Sequence, residues 1–259
     1  ADTEKKVVQH LQGGNIGKIF VKEGDEVEKG QVLIELDVVQ SKSENEALTK
    51  QYMDALAMEA RLIATRDDIP NINFPSEVTD ENIIKDQTNI FNTVNKSLKD
   101  QKEISQQRVI QLQNQISGLT SLNKVRSNRI VSLKEELKEL EELFAQKLVD
   151  KTRIRELQRE INSFEGEIAS NKSEISKVYE QINEIKTQQL LSEKEHHNKV
   201  LDQLVQVKSD LSTIVSKLNT LDDIIIKSEI KAPISGVVVG LKAHTEGAVI
   251  KSAEQILEI

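Results

Sequence analysis

The chain has 259 residues and a formal net charge of −8, and charged residues make up 30% of it while aromatic residues make up 3%. A large spherical core draws on aromatic side chains because each buries so much area, so this composition argues against an ordinary compact globule. The absence of cysteine excludes disulfides and thiolate chemistry, and the acidic balance argues against nucleic acid as a partner.

The first part of the chain, residues 1–40, predicts half of a small β domain. Gly17, Gly24 and Gly30 separate short β-branched runs such as KIFV and QVLIEL, which is the pattern of strands joined by turns. No secretory signal precedes them, and no apolar run reaches the roughly 18–20 residues that cross a bilayer. We therefore interpret the chain as a fragment and expect a membrane anchor outside it.

Residues 41–228 predict an α-helical domain that is broken at two places. The first break, at residues 67–79, contains Pro70 and Pro75, which lack a backbone N–H and disfavour helix. The second break is the run QKLVDK at residues 146–151, in which Asp150 is a suitable N-cap for the helix that follows. These breaks predict helices at about 42–66, 80–146 and 151–223.

The two longer helices predict an antiparallel coiled coil that folds back between residues 148 and 149. Apolar residues recur at alternating steps of three and four along both helices, and the two patterns meet in one register. Farther from the turn, Leu122 continues the seam and Asn171 faces Arg126, a polar layer that fixes the register. Near the turn, the predicted seam consists of Leu133, Leu137, Leu140, Phe144, Ile154, Leu157, Ile161 and Phe164.

The seam is interrupted by polar residues at mirrored places on the two helices. Ser192 and His196 replace apolar residues on one helix, and residues 99–109 are likewise polar on the other. The pair His196–His197 has two interpretations, a solvated polar seam or a ligand-binding or pH-sensitive role. Adjacent helical residues point about 100° apart, so the pair does not form a metal site by itself.

Residues 229–259 predict the second half of the β domain, with turn residues Pro233, Gly236 and Gly247. After an insertion at residues 243–246, the apolar pattern of the first half repeats. Because the two helical arms are equal in length, both halves should return to the same end and form one domain. The equivalent apolar positions are Val27, Leu33 and Leu36 in the first half and Ile250, Ile256 and Ile259 in the second.

These glycine-spaced halves resemble a biotinyl/lipoyl carrier domain, but Val38, Val39 and Gln40 stand where a carrier has its modified lysine. A lipoyl domain split by a long helical hairpin resembles the periplasmic adaptor, or membrane fusion, family. The run LFAQKLVDKTRIRELQRE at residues 143–160 is similar to the haemolysin D branch, which serves type I secretion. The resemblance implies a mostly α fold, with a three-helix antiparallel hairpin inserted into a split lipoyl-like β-barrel.

The resemblance also implies a function without catalysis and without a cofactor. Such adaptors are periplasmic, are anchored in the inner membrane of Gram-negative bacteria, and form a ring that we expect to be hexameric. They bridge an inner-membrane ABC transporter and a TolC-type outer-membrane channel for protein export. An adaptor of a drug or peptide efflux pump is the alternative within the family.

In this family the hairpin tip docks on the channel, which implies a docking surface at the turn. The family's Arg–Leu–Ser/Thr tip pattern aligns with Glu139, Leu143 and Asp150, so only the leucine is kept. The alternative is that Leu148 and Val149 merely close the end of the coiled coil. The predicted docking residues are Leu143, Gln146, Lys147, Leu148, Val149, Asp150 and Lys151.

Two other classes of protein share parts of these patterns. A carrier component of an acyl- or biotin-dependent enzyme would need a lysine at residues 38–40, which this sequence lacks. A cytoplasmic coiled-coil scaffold would leave the split β halves unexplained. The sequence shows no nucleophile with a base, no pair of catalytic carboxylates and no phosphate-binding loop, so we predict no active site.

Overall fold

The computed structural model describes residues 5–242 and 245–259, and it confirms a mostly helical chain with a long hairpin between two parts of a small β domain. The three helices of this described part are α1 (Val39–Arg66), α2 (Glu81–Ala145) and α3 (Lys151–Lys227). The strands are β1 (Val7–His10), β2 (Gly14–Ile19), β3 (Glu26–Val27), β4 (Val32–Leu36), β5 (Glu229–Lys231), β6 (Gly236–Val237), β7 (Val249–Ile250) and β8 (Glu254–Glu258).

The helix limits differ from the sequence prediction mainly at the end of α3. This helix continues through Ile224, Ile225 and Ile226 to Lys227, rather than ending at residue 223. Three consecutive β-branched residues have low helix propensity, and the sequence pattern therefore placed the end too early. The helix ends where the hydroxyl of Ser228 donates a hydrogen bond of 2.6 Å to the carbonyl of Ile225.

The β domain is formed by both ends of the chain together. Each strand of the second half pairs antiparallel with a strand of the first half: β5 with β4, β6 with β3, β7 with β2 and β8 with β1. The pairing repeats itself, because Glu26 and Val27 oppose Val237 and Gly236 just as Val249 and Ile250 oppose Asn15 and Gly14. The two halves are therefore related by an approximate two-fold axis, and neither has its full set of strand partners without the other.

One hydrophobic core joins the two halves. The six predicted equivalent apolar residues are all buried in it: Val27, Leu33, Leu36, Ile250, Ile256 and Ile259. The insertion that separates the second set from the first, residues 243–246, lies partly outside the described residues. The repeated apolar spacing in the sequence thus corresponds to one shared core.

Two of the predicted turn glycines lie in strands instead. Gly17 is inside β2 and Gly236 is inside β6, whereas Gly24, Gly30 and Gly247 lie outside strands with positive φ angles of 88°, 87° and 85°. At Gly236 a Cβ would lie 2.7 Å from Cγ2 of Ile259, so a larger residue there would force that side chain to move. The exposed Pro233 lies in the bend between β5 and β6.

The chain divides into two compact units, Ala1–Asn89 with Val200–Ile259 and Ile90–Lys199. In the first unit, α1 packs as a third helix, as predicted, with Leu62 against Val200, Leu204 and Val207 of α3. Its side toward α2 buries Ala57 with Val78 and Ile83, and Arg61 donates a hydrogen bond of 2.7 Å to Gln87. No helix among the described residues has both the length and the apolar character to cross a bilayer.

Candidate docking surface at the hairpin turn

The turn between α2 and α3 is closed by backbone hydrogen bonds of the Schellman type. The N–H of Leu148 donates to the carbonyl of Leu143 at 3.0 Å, and the N–H of Lys147 donates to the carbonyl of Phe144 at 2.8 Å. Lys147 occupies the left-handed position of this motif, with φ of 64°, where glycine is usual. The sequence predicted the helix end within one residue, at 146, but it did not predict this motif, because neither glycine nor proline marks it.

Asp150 caps the start of α3, as the sequence predicted. Its carboxylate accepts hydrogen bonds from the N–H of Thr152 at 3.2 Å and from the Thr152 hydroxyl at 2.8 Å. Both hydrogen bonds hold the pKa of Asp150 below its ordinary value of 3.8, and the bond from the Thr152 hydroxyl has the larger effect. At pH values above 3.8 the ionised cap contributes its full stabilisation to α3. This stabilisation is lost as the pH falls through the lowered pKa of Asp150.

The apolar surface at the turn is larger than the sequence predicted. Leu148 is 67% exposed, and Leu143 is 38% exposed on the last turn of α2. Phe144 was predicted as a seam residue facing Ile154, but it is 41% exposed while Ile154 is buried. The first turn of α3, which begins at Lys151, thus leaves part of the Phe144 side chain exposed to solvent.

The other predicted docking residues surround this apolar surface. Val149 is half-buried, whereas Gln146, Lys147, Asp150 and Lys151 are exposed. The turn therefore presents leucine and phenylalanine side chains within a polar rim. A surface of this kind is suited to contact with an apolar groove of another protein.

Below the turn, the predicted seam holds the two helices together. Ile130, Leu133, Leu157 and Ile161 form a buried cluster, with Leu157 fully buried. The remaining predicted seam residues that pack against this cluster are Leu137, Leu140 and Phe164. This dry seam gives the turn a rigid support.

Ion pairs across the hairpin add to that support. The guanidinium of Arg153 lies 3.2 Å from the carboxylate of Glu136 on α2 and 3.3 Å from that of Glu156 on its own helix. Hydrogen bonds to Glu156 and then Glu136 raise the pKa of Arg153 above its ordinary value. Because all three side chains are about half exposed, water screens the pairs and their effect is chiefly on register.

The polar layer farther along the seam differs in detail from the prediction. The amide of Asn171 donates a hydrogen bond of 2.8 Å to the side-chain oxygen of Asn123, and Arg126 pairs with Glu167 at 2.7 Å. Leu122, predicted in the seam, is 42% exposed. An unbroken heptad along α2 places Asn123 in the seam, and the apolar character of Leu122 obscured this in the sequence.

His196 lies half-buried on α3, where it continues the heptad pattern. Its Nε2 atom is buried and has no hydrogen-bond partner among the described residues. Burial, and then the charges of Lys199 and His197, lowers its pKa below the ordinary value of 6.5. The neutral ring is therefore favoured, and protonation at lower pH would place a charge inside the seam.

The side chains at the hairpin turn are suited to contact with another protein. Within residues 5–242 and 245–259, no group of three or more His, Asp and Glu side chains has the arrangement of a metal site. The turn offers exposed apolar side chains on a rigid base, which are means of binding another protein.

The model of a family described as AprE, long alpha-helical hairpin, matches residues 41–224. The chain is 27% identical over 263 residues to the type I secretion system membrane fusion protein PrsE of Rhizobium meliloti, covering 99% of this chain and 60% of PrsE. It is 23% identical over 263 residues to the chromosomal haemolysin secretion protein D of Escherichia coli, covering 98% of this chain and 55% of that protein.

Among solved structures, the chain is similar to the soluble domain of LipC, a membrane fusion protein of a type I secretion system. The TM-score is 0.89, the sequence identity is 27%, and the similarity covers 99% of each chain. The two curated relatives are longer, and this chain spans 55–60% of their length. All three are named as membrane fusion or secretion proteins and not as enzymes.

Proposed function

The chain belongs to the AprE family of long α-helical hairpin proteins, and from this membership we propose that it is the hairpin-bearing part of a periplasmic adaptor in a type I secretion system. The complete protein is anchored in the inner membrane and joins an ABC transporter there to a TolC-type channel in the outer membrane. Several copies form a ring around the path of the exported protein. The LipC similarity over the whole chain supports this assignment.

The hairpin turn is the part that docks on the outer-membrane channel. The observation that carries this proposal is the exposure of Leu143, Phe144 and Leu148 at the end of a rigid coiled coil. Apolar side chains at a helical turn are not needed to close the seam, which is already buried at Ile154 and Leu157. Their exposure is accounted for by a partner that covers them.

The exported substrate is a protein. Relatives carry names that refer to secretion of proteases, haemolysin and leukotoxin, and these names support protein cargo for this chain too.

Replacing Leu148 with Asp tests docking through the turn. The substitution removes an apolar side chain from the centre of the contact and places a charge there. The binding free energy should weaken by about 2 kcal/mol or more, which is roughly a 30-fold loss of affinity. We expect Leu148→Asp in the complete protein to abolish or strongly reduce export in cells that contain the transporter and the channel. Export is measured as the cargo found in the culture medium.

A matched control separates docking from folding. Val205→Asp also places a charge on an exposed apolar residue, since Val205 is 72% exposed on α3, and it should leave export unchanged. Both variants should keep the thermal unfolding of the wild type. Normal export by Leu148→Asp, with the protein present at its usual level, would rule out docking through this residue.

A further inference from the structure

The hairpin of residues 90–199 has two broad faces, one on each side of its seam. Cross-hairpin ion pairs mark them: Lys134 with Glu165 at 2.9 Å on one face, and Arg129 with Glu160 at 3.6 Å on the other. In an antiparallel coiled coil, the positions on either side of the seam alternate regularly, so each remaining residue can be assigned to one of the two faces or to the outer edge of its helix. We name the first the lysine face and the second the glutamate face.

Both faces carry exposed apolar side chains. On the lysine face these are Ile110, Val131, Tyr179 and Leu190. On the glutamate face they are Ile104, Leu122, Val125 and Leu191. These side chains can form the apolar part of a contact if a neighbour packs on either face.

The two faces carry opposite charge, which gives them their names. On the lysine face, Lys124, Lys138, Lys172 and Lys186 have no ion-pair partner among the described residues. That face also carries acidic residues, namely Glu103, Glu141, Glu165 and Glu193, but basic side chains outnumber them once Lys134 and Arg155 are included. On the glutamate face, Glu136, Glu139, Glu160, Glu167, Glu174 and Glu184 outnumber Arg108, Arg129, Arg153 and Lys177.

The opposite charges also lie at matching heights along the helices. Lys172 and Glu174 are two residues apart on α3 but on opposite faces, and so are Lys186 and Glu184. At 1.5 Å per residue the members of each pair differ by about 3 Å in height. A neighbouring copy in the same orientation, placed beside the first without sliding along it, therefore brings Glu174 near Lys172 and Glu184 near Lys186.

We propose that the lysine face of one copy packs on the glutamate face of the next, so that hairpins stand side by side in the same direction. The inference deepens the proposed function, on which it rests, by assigning the surfaces through which copies of the chain associate. The apolar side chains of the two faces form the dry part of the contact, and the lysine and glutamate side chains fix its height.

Opposite faces in contact give a head-to-tail arrangement, which closes into a ring when the rotation between copies allows it. A two-fold dimer would instead place a face against itself and bring like charges together, Lys172 toward a second lysine-rich surface. Like charges across an interface cost affinity and select against that arrangement. The charge pattern thus distinguishes a ring from a dimer.

Disulfide cross-linking of the complete protein, in membranes that contain its transporter, tests the proposal. The chain described here has no cysteine, so Lys172→Cys and Glu174→Cys can be combined without background from it. The two cysteines lie on opposite faces of one helix and cannot bond within a copy. On mild oxidation we expect the double variant to form a ladder of dimers, trimers and larger species on a non-reducing gel.

The controls give the opposite result. Neither single variant should form a ladder, nor should the pair Ser173→Cys with Glu180→Cys, which lies on the outer edge away from both faces. The proposal is overturned if the double variant forms no ladder, if Lys172→Cys alone gives dimers, or if the cysteines bond to a different protein.

The cross-linking result tests the assigned faces, and the export result tests the adaptor function, so the two can fail separately. If the wild type exports cargo but the ladder is absent, the assigned faces are wrong and the adaptor function stands. If the ladder forms but the wild type supports no export with its transporter and channel, the adaptor function is wrong and the pairing of copies stands.

Discussion

Lys147 occupies a backbone conformation that glycine adopts without penalty and that other residues adopt at a cost. Its φ of 64° closes the end of α2. The end of α1 is closed in the same way, with Asp68 at φ of 52° and a bond of 2.9 Å from the N–H of Ile69 to the carbonyl of Ala64. Both helix ends are thus set by hydrogen bonding of the backbone rather than by the residue type that usually marks such a position.

Replacing Lys147 with Gly should stabilise the chain. The left-handed conformation costs a residue with a Cβ about 1–2 kcal/mol, and the added freedom of glycine in the unfolded chain offsets about 0.5–1 kcal/mol of this. We expect the free energy of unfolding to rise by about 0.5–1 kcal/mol, measured by urea denaturation. Gln146→Gly, one residue earlier and without a positive φ, should give no increase. An equal gain at both positions would contradict a special role for the conformation of Lys147.

Single residues were the least predictable level of this structure. Asp150 was predicted as a cap because its side-chain chemistry is local. Gly17 and Gly236 were predicted in turns, yet they lie in strands. Gly236 lies close to the side chain of Ile259, and only the folded domain brings these two residues together. A sequence pattern contains local chemistry, and it does not contain such a contact.

The pair of long helices is held by its apolar seam more than by its surface charges. Leu157 is fully buried, whereas the ion pairs across the hairpin are about half exposed and screened by water. The seam is therefore the part of the hairpin where a small change should have a large effect on stability.

Replacing Leu157 with Ala should destabilise the hairpin. Truncation of a fully buried leucine costs about 2–5 kcal/mol, because it removes apolar contact and leaves a cavity. Val125→Ala, at a residue that is 65% exposed, should change the free energy of unfolding by less than about 0.5 kcal/mol at low protein concentration. Circular dichroism during urea denaturation measures both. Similar effects at the two positions would contradict the assigned register.

The seam between the two long helices could be predicted from the sequence because its heptad pattern repeats along each helix. Of the eight seam residues predicted from Leu133 to Phe164, the cluster around Leu157 contains Leu133, Leu157 and Ile161, and three more pack against it: Leu137, Leu140 and Phe164. The two predicted seam residues that are exposed, Leu122 and Phe144, lie beside the heptad position of Asn123 and at the end of α2. Periodicity locates a seam, and it does not reveal where that seam stops being covered.

The β domain depends on the meeting of both ends of the chain. Its core contains residues from both halves, and each strand of the second half pairs with one of the first. The repeated spacing predicted that the halves belong together. It could not give the strand order, since that order follows from an approximate two-fold axis of the folded domain.

A disulfide between β4 and β5 tests this arrangement. Val32 and Lys231 are opposite each other in the antiparallel pair, at a separation that a disulfide can span. We expect Val32→Cys with Lys231→Cys to form an intramolecular disulfide on oxidation. After protease cleavage at the hairpin turn, the two fragments should then stay linked on a non-reducing gel. Fragments that separate without reductant would show that the two halves do not pair.

The proposed adaptor function depends on contact between the hairpin turn and an outer-membrane channel. A photo-activated cross-linking residue at position 148 of the complete protein, in cells that export cargo, tests this most directly. We predict a cross-linked product that contains the channel protein when the residue is at position 148, and none when it is at position 205. Absence of that product at position 148, or an equal yield at position 205, would contradict the account.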